Sequence, residues 1–177
     1  MIAPVAPGVV EELAASLGSD VPSQLIPGVA LGTGAGEIVE PIEPLAPHAF
    51  VIVPQRFGLS TPDVYREADR LGLPREASDL AARLRAIRSG GDPAFVNDLE
   101  PAALSLRPEI GRALDAVRDA GADYAMVSGS GPTVFGLFMG PDGLARADAA
   151  AHGLFDRYPE ATSAASVSEE FGVPRGS

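Results

Sequence analysis

Two apolar runs, Tyr124–Ser128 and Thr133–Phe138, flank the turn Gly129-Ser130-Gly131-Pro132, and this arrangement constrains the fold more than any other feature of the chain. Glycine reaches backbone conformations closed to other residues and proline fixes its own φ, so such an insert between two strand-like stretches reverses the chain. The pattern predicts an antiparallel hairpin. A further buried strand is expected over His48–Pro54 (HAFVIVP), a compact β-branched run bounded by prolines. Helical spacing marks Val9, Val10, Leu13, Ala14 and Leu17, stopped by Gly18. Ser60-Thr61-Pro62-Asp63 starts a helix with a hydroxyl cap and a first-turn proline, and Val64, Ala68 and Leu71 continue its apolar face. Helices are also expected over Ser78–Arg88, Arg107–Ala120 and Asp142–Tyr158, with a short helical piece near Pro93–Glu100. Asp20–Glu37 reads as loop, short strand and loop, and Ala161–Ser168 as a last strand. Antiparallel hairpins with helices on one face close as an α+β sandwich, an antiparallel sheet backed by helices.

At 177 residues the chain is long enough for one ordinary domain, or one domain with a piece of a second. Hydrophobic residues make up 46% and charged residues 21%, the balance of a folded globular protein. There is no cysteine, which excludes disulfides, thiolate metal sites and a cysteine nucleophile. A net charge of −11 with no compensating basic stripe argues against a nucleic-acid partner. Apolar stretches such as Ala49–Val53 and Val134–Met139 are too short to cross a bilayer, so no membrane partner is expected and a cytoplasmic location is the default. All 13 basic side chains are arginine. A kinase can use lysine as a point charge on a transferring phosphoryl group, and arginine is a poor proton donor or acceptor.

Four places could carry chemistry. Asp20 follows a helix end and Gly18-Ser19, immediately before the Val21-Pro22 pair that holds the backbone extended, so its carboxylate could be aimed into a cleft. Local sequence favours the plainer alternative, an aspartate that caps a turn. In Ser128-Gly129-Ser130-Gly131-Pro132-Thr133, successive backbone N–H groups could form an anion nest, although the same residues also make an ordinary hairpin reversal. The stretch is neither a Walker A loop nor a dinucleotide fingerprint. Asn97-Asp98-Leu99-Glu100 is polar at the edge of apolar segments, as a cap or a solvated face would be, and Tyr65 fits a core aromatic by periodicity. His48 and His152 have no ligand-like spacing, and no metal ligand can be named.

Taken in order, LGSDVP (17–22), GVALGTGAGE (28–37), STPDVY (60–65), NDLEP (97–101) and MVSGSGPTVFGLF (126–138) resemble the second half of the GHMP kinases, over about Glu11–Phe138. NDLEP together with SGSGPT favours, within that family, the branch that phosphorylates a cytidine diphosphate-linked methylerythritol for non-mevalonate isoprenoid synthesis. The resemblance implies ATP and Mg²⁺ as the phosphoryl donor and its cation. It implies that Asp20 is the catalytic aspartate, that Tyr65 stacks on the cytosine, and that Thr61 lies on the same helix turn. Gly129, Ser130, Gly131 and Pro132 match a family turn beside the phosphates, and Asn97 belongs to a motif of structural character. Residues 1–47 would be a remnant of the N-terminal kinase domain and 48–177 the C-terminal domain, the remnant leaving strand edges and apolar residues exposed. The family's phosphate loop and its lysine lie upstream of the matched segment, so the chain by itself is expected to have little or no activity. Where the family has Phe and a Gly-Gly pair after Val-Pro, this chain has Ser23 and Ile26-Pro27-Gly28, which alters the hinge beside Asp20. Two alternatives stand beside this expectation. One is a non-catalytic half-enzyme or assembly module, completed by a separate N-terminal half or as a homo-oligomer. The other is a different GHMP kinase, such as homoserine kinase.

Overall fold

The computed structural model describes residues 8–26, 28–89 and 95–167, in two compact units: a first that runs to Leu45 and a second of Ala46–Ser166. Among the described residues no helix is long and apolar enough to cross a membrane.

The first unit opens with α1 (Val9–Leu17), which ends at Gly18 where its apolar spacing stops. Only Ala14 of this helix is buried, and Val9, Val10, Leu13 and Leu17 are exposed. A 3-10 turn at Pro22–Leu25 follows, started by the proline. Strands β1 (Ala30–Thr33) and β2 (Ile38–Pro41) then form a two-stranded antiparallel hairpin in which Thr33 faces Ile38 and Ala30 faces Pro41. The four-residue turn between them uses Gly34 and Gly36 at φ 72° and 108°, left-handed conformations that favour glycine. The sequence suggested a single strand here. The second, Ile-Val-Glu-Pro, is short and ends in proline, so its own residues announce it poorly.

The second unit is a four-stranded antiparallel sheet backed by helices. Its strands are β3 (His48–Val53), β4 (Tyr124–Val127), β5 (Val134–Met139) and β6 (Thr162–Ala165), in the spatial order β4-β5-β3-β6. Along β3 burial alternates strictly, with Ala49, Val51 and Val53 fully buried, as a strand with one face on the core requires. Those three side chains meet Ile110, Ala113, Leu114 and Val117 of α5 (Glu109–Asp119) and Ala147, Ala150 and Leu154 of α6 (Gly143–Leu154) in one core. A satellite cluster joins Val64 and Ala68 of α2 (Thr61–Leu71) to Ala102 of α4 (Glu100–Leu106). Helix α3 (Ala77–Arg88) lies between α2 and α4 in the chain.

Three details depart from the sequence expectation. The helical piece anticipated near Pro93–Glu100 lies further on, at Glu100–Leu106, with Pro101 in its first turn, and residues 90–94 fall outside those described. Ser60 sits at the α2 N-cap without a side-chain capping bond, because its backbone carbonyl accepts the N–H groups of Asp63 and Val64. The final helix stops at Leu154, four residues short of Tyr158.

Register fixes where the connections emerge. Val53, the last residue of β3, pairs with Val134, the first of β5, and Val134 pairs in turn with Val127, the last of β4. The β4–β5 turn and the segment leading into α2 therefore leave the same end of the sheet. In the middle of β5, Gly136 is buried beneath α5. A Cβ there would stand 2.5 Å from Val117 Cγ1, 2.9 Å from Ala122 Cβ and 3.1 Å from Val51 Cγ1. Gly136→Ala is expected to cost about 1–3 kcal/mol through overpacking, read as a lower urea midpoint with an unchanged slope. An unchanged midpoint would mean that the helix is free to move off the sheet.

Candidate functional site

The site is built at that shared end of the sheet. In the turn between β4 and β5, Ser128 N–H donates to the Thr133 carbonyl at 2.8 Å and Gly131 N–H to the Ser128 carbonyl at 2.8 Å. Gly129 and Gly131 adopt φ 55° and 84°, the peptide between Gly131 and Pro132 is cis, and a Cβ on Gly131 would lie 3.0 Å from Val127 Cγ1. Two glycines are thus required by conformation, and the second also by a close neighbour. No hydrogen bond occupies the N–H groups of Gly129 and Ser130 among the described residues, so both remain donors to whatever lies against the turn.

The first turn of α2 meets this loop through side chains. Thr61 Oγ1 and Ser130 Oγ lie 2.8 Å apart as a hydroxyl–hydroxyl hydrogen bond between residues 69 apart in sequence. Tyr65, four residues on from Thr61, is on the same side of α2 and 56% exposed. Its ring is outside the core that periodicity suggested, and it presents a surface on which a planar group can stack. Thr61 is therefore joined to the glycine turn, and Tyr65 stands one helical turn further along α2.

Asn97 and Glu100 hold the turn from behind. The Asn97 carboxamide donates through Nδ2 to the carbonyls of Val127 at 2.8 Å and Gly129 at 2.6 Å, and its Oδ1 accepts the Leu99 N–H at 3.0 Å. Glu100 Oε2 accepts the Val127 N–H at 2.9 Å. The sequence marks these residues only as a polar edge, because their partners lie 27–32 residues away. The motif's other carboxylate, Asp98, instead pairs with Arg75, whose guanidinium holds the Asp98 carboxyl below its ordinary range. Helix α2 is tied to α4 by Glu67, which accepts both Nε and Nη2 of Arg70 at 2.7 Å and the Ser105 hydroxyl at 2.5 Å. The Arg70 hydrogen bonds, then the Ser105 one, pull the Glu67 carboxyl down from its ordinary 4.5 to about 2.

Asp20 belongs to the first unit, in the turn between α1 and Pro22–Leu25. Its backbone carbonyl accepts the Ser23 hydroxyl at 2.8 Å, so the residue that alters this hinge contributes a bond to it. The Asp20 side chain is exposed and, among the described residues, has no hydrogen-bond or ion-pair partner. The side chain therefore does not cap the turn. Among the described residues, no three His, Asp or Glu side chains gather as a metal site.

Residues 73–160 match the family described as GHMP kinases C terminal. The chain is 49% identical over 127 residues to the 4-diphosphocytidyl-2-C-methyl-D-erythritol kinase of a Nocardioides species, covering 68% of this chain and 43% of that one. It is 46% identical over 147 residues to the Streptomyces coelicolor protein of the same name, covering 78% of this chain and 48% of the relative. It spans about half the length of these curated relatives. A crystal structure of 4-(cytidine 5'-diphospho)-2C-methyl-D-erythritol kinase superposes with a TM-score of 0.66 at 33% identity, over 90% of this chain and 57% of that one. A homoserine kinase from Cytophaga hutchinsonii, at 21% identity and a TM-score of 0.58 over 85% of this chain and 52% of that one, shares the fold.

Two outcomes follow from the hydrogen bonds around the turn. Asn97→Ala, which removes three side-chain bonds from a loop, is expected to lower stability by about 1–3 kcal/mol and to accelerate amide exchange at Ser128 and Gly131; slow exchange at both would refute the clamp. Because the folded Glu67 carboxyl titrates below its ordinary value, its contribution is complete above pH 4.5 and fades as pH falls from there through about 2. The melting-temperature gap between wild type and Glu67→Gln should close over that window. A gap constant with pH would show that the tie to Arg70 and Ser105 does not depend on the charge.

Proposed function

Since this chain belongs to the GHMP kinase family through its C-terminal domain, we propose that the whole protein transfers the γ-phosphoryl group of ATP to the 2-hydroxyl of 4-diphosphocytidyl-2-C-methyl-D-erythritol. The observation that carries this reading is the hydrogen bond between Thr61 on α2 and Ser130 in the glycine turn, with Tyr65 exposed one helical turn beyond Thr61, in a chain 49% identical over 127 residues to a relative of that name. In this reading the exposed Tyr65 ring stacks on the cytosine, an arrangement that tolerates no loss of the aromatic face. The hydroxyl pair of Thr61 and Ser130 fixes α2 against the turn, and the open N–H groups of Gly129 and Ser130 face phosphate oxygens. The unpaired Asp20 carboxylate accepts or orients the proton of the attacking hydroxyl as that oxygen approaches the γ-phosphorus. Mg²⁺ in such reactions bridges phosphate oxygens and neutralises developing charge, and no residue of this chain is assigned to it.

The sequence contains no lysine to polarise the attacking hydroxyl, and the chain spans about half of its relatives. A half-enzyme that works with a separate N-terminal polypeptide is the second reading, and it rests on the family resemblance, not on where this sequence begins. In it, residues 1–47 are the remnant of the N-terminal domain and 48–177 the C-terminal domain.

One coupled assay tests both. The chain alone, and the chain mixed with the N-terminal half of a curated relative, are given ATP, Mg²⁺ and either the cytidine-linked substrate or homoserine. Turnover of the cytidine-linked substrate by the mixture is expected, with homoserine inert. Asp20→Asn should lower kcat by about 10²–10⁴-fold, and Tyr65→Ala should act mainly on KM. Preference for homoserine would refute the substrate assignment, and full activity of the chain alone would refute the half-enzyme reading.

A further inference from the structure

The second unit also holds a concavity of about 330 Å³ where the segment after β3, the first turn of α5 and the segment after α6 meet. It is lined by none of the residues assigned above. Three arginines, Arg56, Arg112 and Arg157, line it, together with Glu109 and Glu160. The distribution of ion pairs favours this concavity, although Arg85, outside it, is also unpaired among the described residues. In a chain of net charge −11 carboxylates are plentiful, and Arg66, Arg70, Arg75, Arg118 and Arg146 each pair with one. Among the described residues, Arg56, Arg112 and Arg157 have no such pair, although two glutamates share their wall.

Two aromatic rings of the wall carry guanidiniums on their faces. Arg157 lies over the Tyr158 ring at 5.5 Å, and a fourth guanidinium, Arg107, stands 5.2 Å from the centroid of the Phe57 ring. Both rings line the concavity. Cation–π contacts orient these side chains without neutralising them. Like charges gathered in a concave, partly apolar site repel one another and focus a field that favours an anion. Guanidinium forks match phosphate oxygens in pairs, which an ammonium cannot do. Glu109 and Glu160, also without a protein partner, accept hydrogen bonds, and so select a ligand that brings donors of its own. The volume is at the lower end for small-molecule sites, which suits a ligand of a few carbons.

We propose that this concavity binds a small phosphate monoester bearing hydroxyl groups, its phosphate held by Arg56, Arg112 and Arg157 and its hydroxyls by Glu109 and Glu160. The site is separate from the phosphoryl-transfer reading and its test uses no turnover.

Calorimetric titration of the chain at low salt with glycerol 3-phosphate, inorganic phosphate and glycerol tests the assignment. Saturable binding of glycerol 3-phosphate is expected, weaker binding of inorganic phosphate, and none of glycerol. Arg112→Glu and Arg157→Glu, each checked for an unchanged unfolding transition, should weaken glycerol 3-phosphate by about tenfold or more, whereas Arg66→Ala should not. Arg112→Lys should recover part of the loss if the variant charge alone disturbs folding. Glu160→Gln should weaken glycerol 3-phosphate while leaving inorganic phosphate unchanged. No saturable binding would overturn the proposal. So would equal losses in Arg66→Ala and Arg112→Glu, the mark of an adventitious ion only.

Discussion

The pairing of β3 with a strand on each side is the constraint from which the rest of the second unit follows. His48–Val53 bonds to β5 along six residues and to β6 along four, and every second side chain is buried beneath α5 and α6. Register then leaves no choice for the connections. Val53, Val134 and Val127 lie in one row across the sheet, so the chain leaves β3 toward α2 beside the point where β4 turns into β5. Slipping any one strand by a residue would turn its buried face outward. The position of Thr61 relative to Ser130 is therefore a consequence of core packing, not of local loop preference.

On that foundation the glycine turn is rigid for reasons that do not involve a ligand. Its conformation needs glycine at two positions, and Asn97 and Glu100 fix the backbone of Val127 and Gly129 from behind. With its carbonyls engaged by Asn97, the turn keeps the N–H groups of Gly129 and Ser130 without a hydrogen bond among the described residues. At α2, one hydroxyl pair joins the helix to the loop and Glu67 joins it to α4.

Much of this was legible in the residues. Strands β3, β4 and β5, helices α1, α2, α3 and α5, and the Gly-Ser-Gly-Pro reversal follow from periodicity and turn chemistry, because their patterns are local and strong. What local pattern could not supply depends on distant partners. β2 exists because β1 offers it a ladder, and α4 begins at Glu100 because Asn97 accepts the N–H groups of Leu99 and Glu100, which leaves the Leu99 carbonyl to take the first helical bond from Ala103. The Thr61–Ser130 and Asn97–Gly129 contacts join residues 69 and 32 apart, a separation at which sequence carries no geometric signal. Tyr65 looked like a core residue by spacing and is exposed, since Val64 and Ala68 take the buried face of α2. Only the resemblance to the ordered motifs of a family makes it, and Asp20, candidates for a role beyond that of ordinary surface residues.

The measurement that bears most directly on the account is a backbone-amide NMR titration of the chain with 4-diphosphocytidyl-2-C-methyl-D-erythritol. If the first turn of α2 and the glycine turn form one substrate-facing surface, the amides of 61–65 and of Gly129 and Ser130 shift together with a single affinity, and Tyr65→Ala abolishes both sets of shifts. Shifts confined to one segment, or saturable binding that leaves both unmoved, would contradict it.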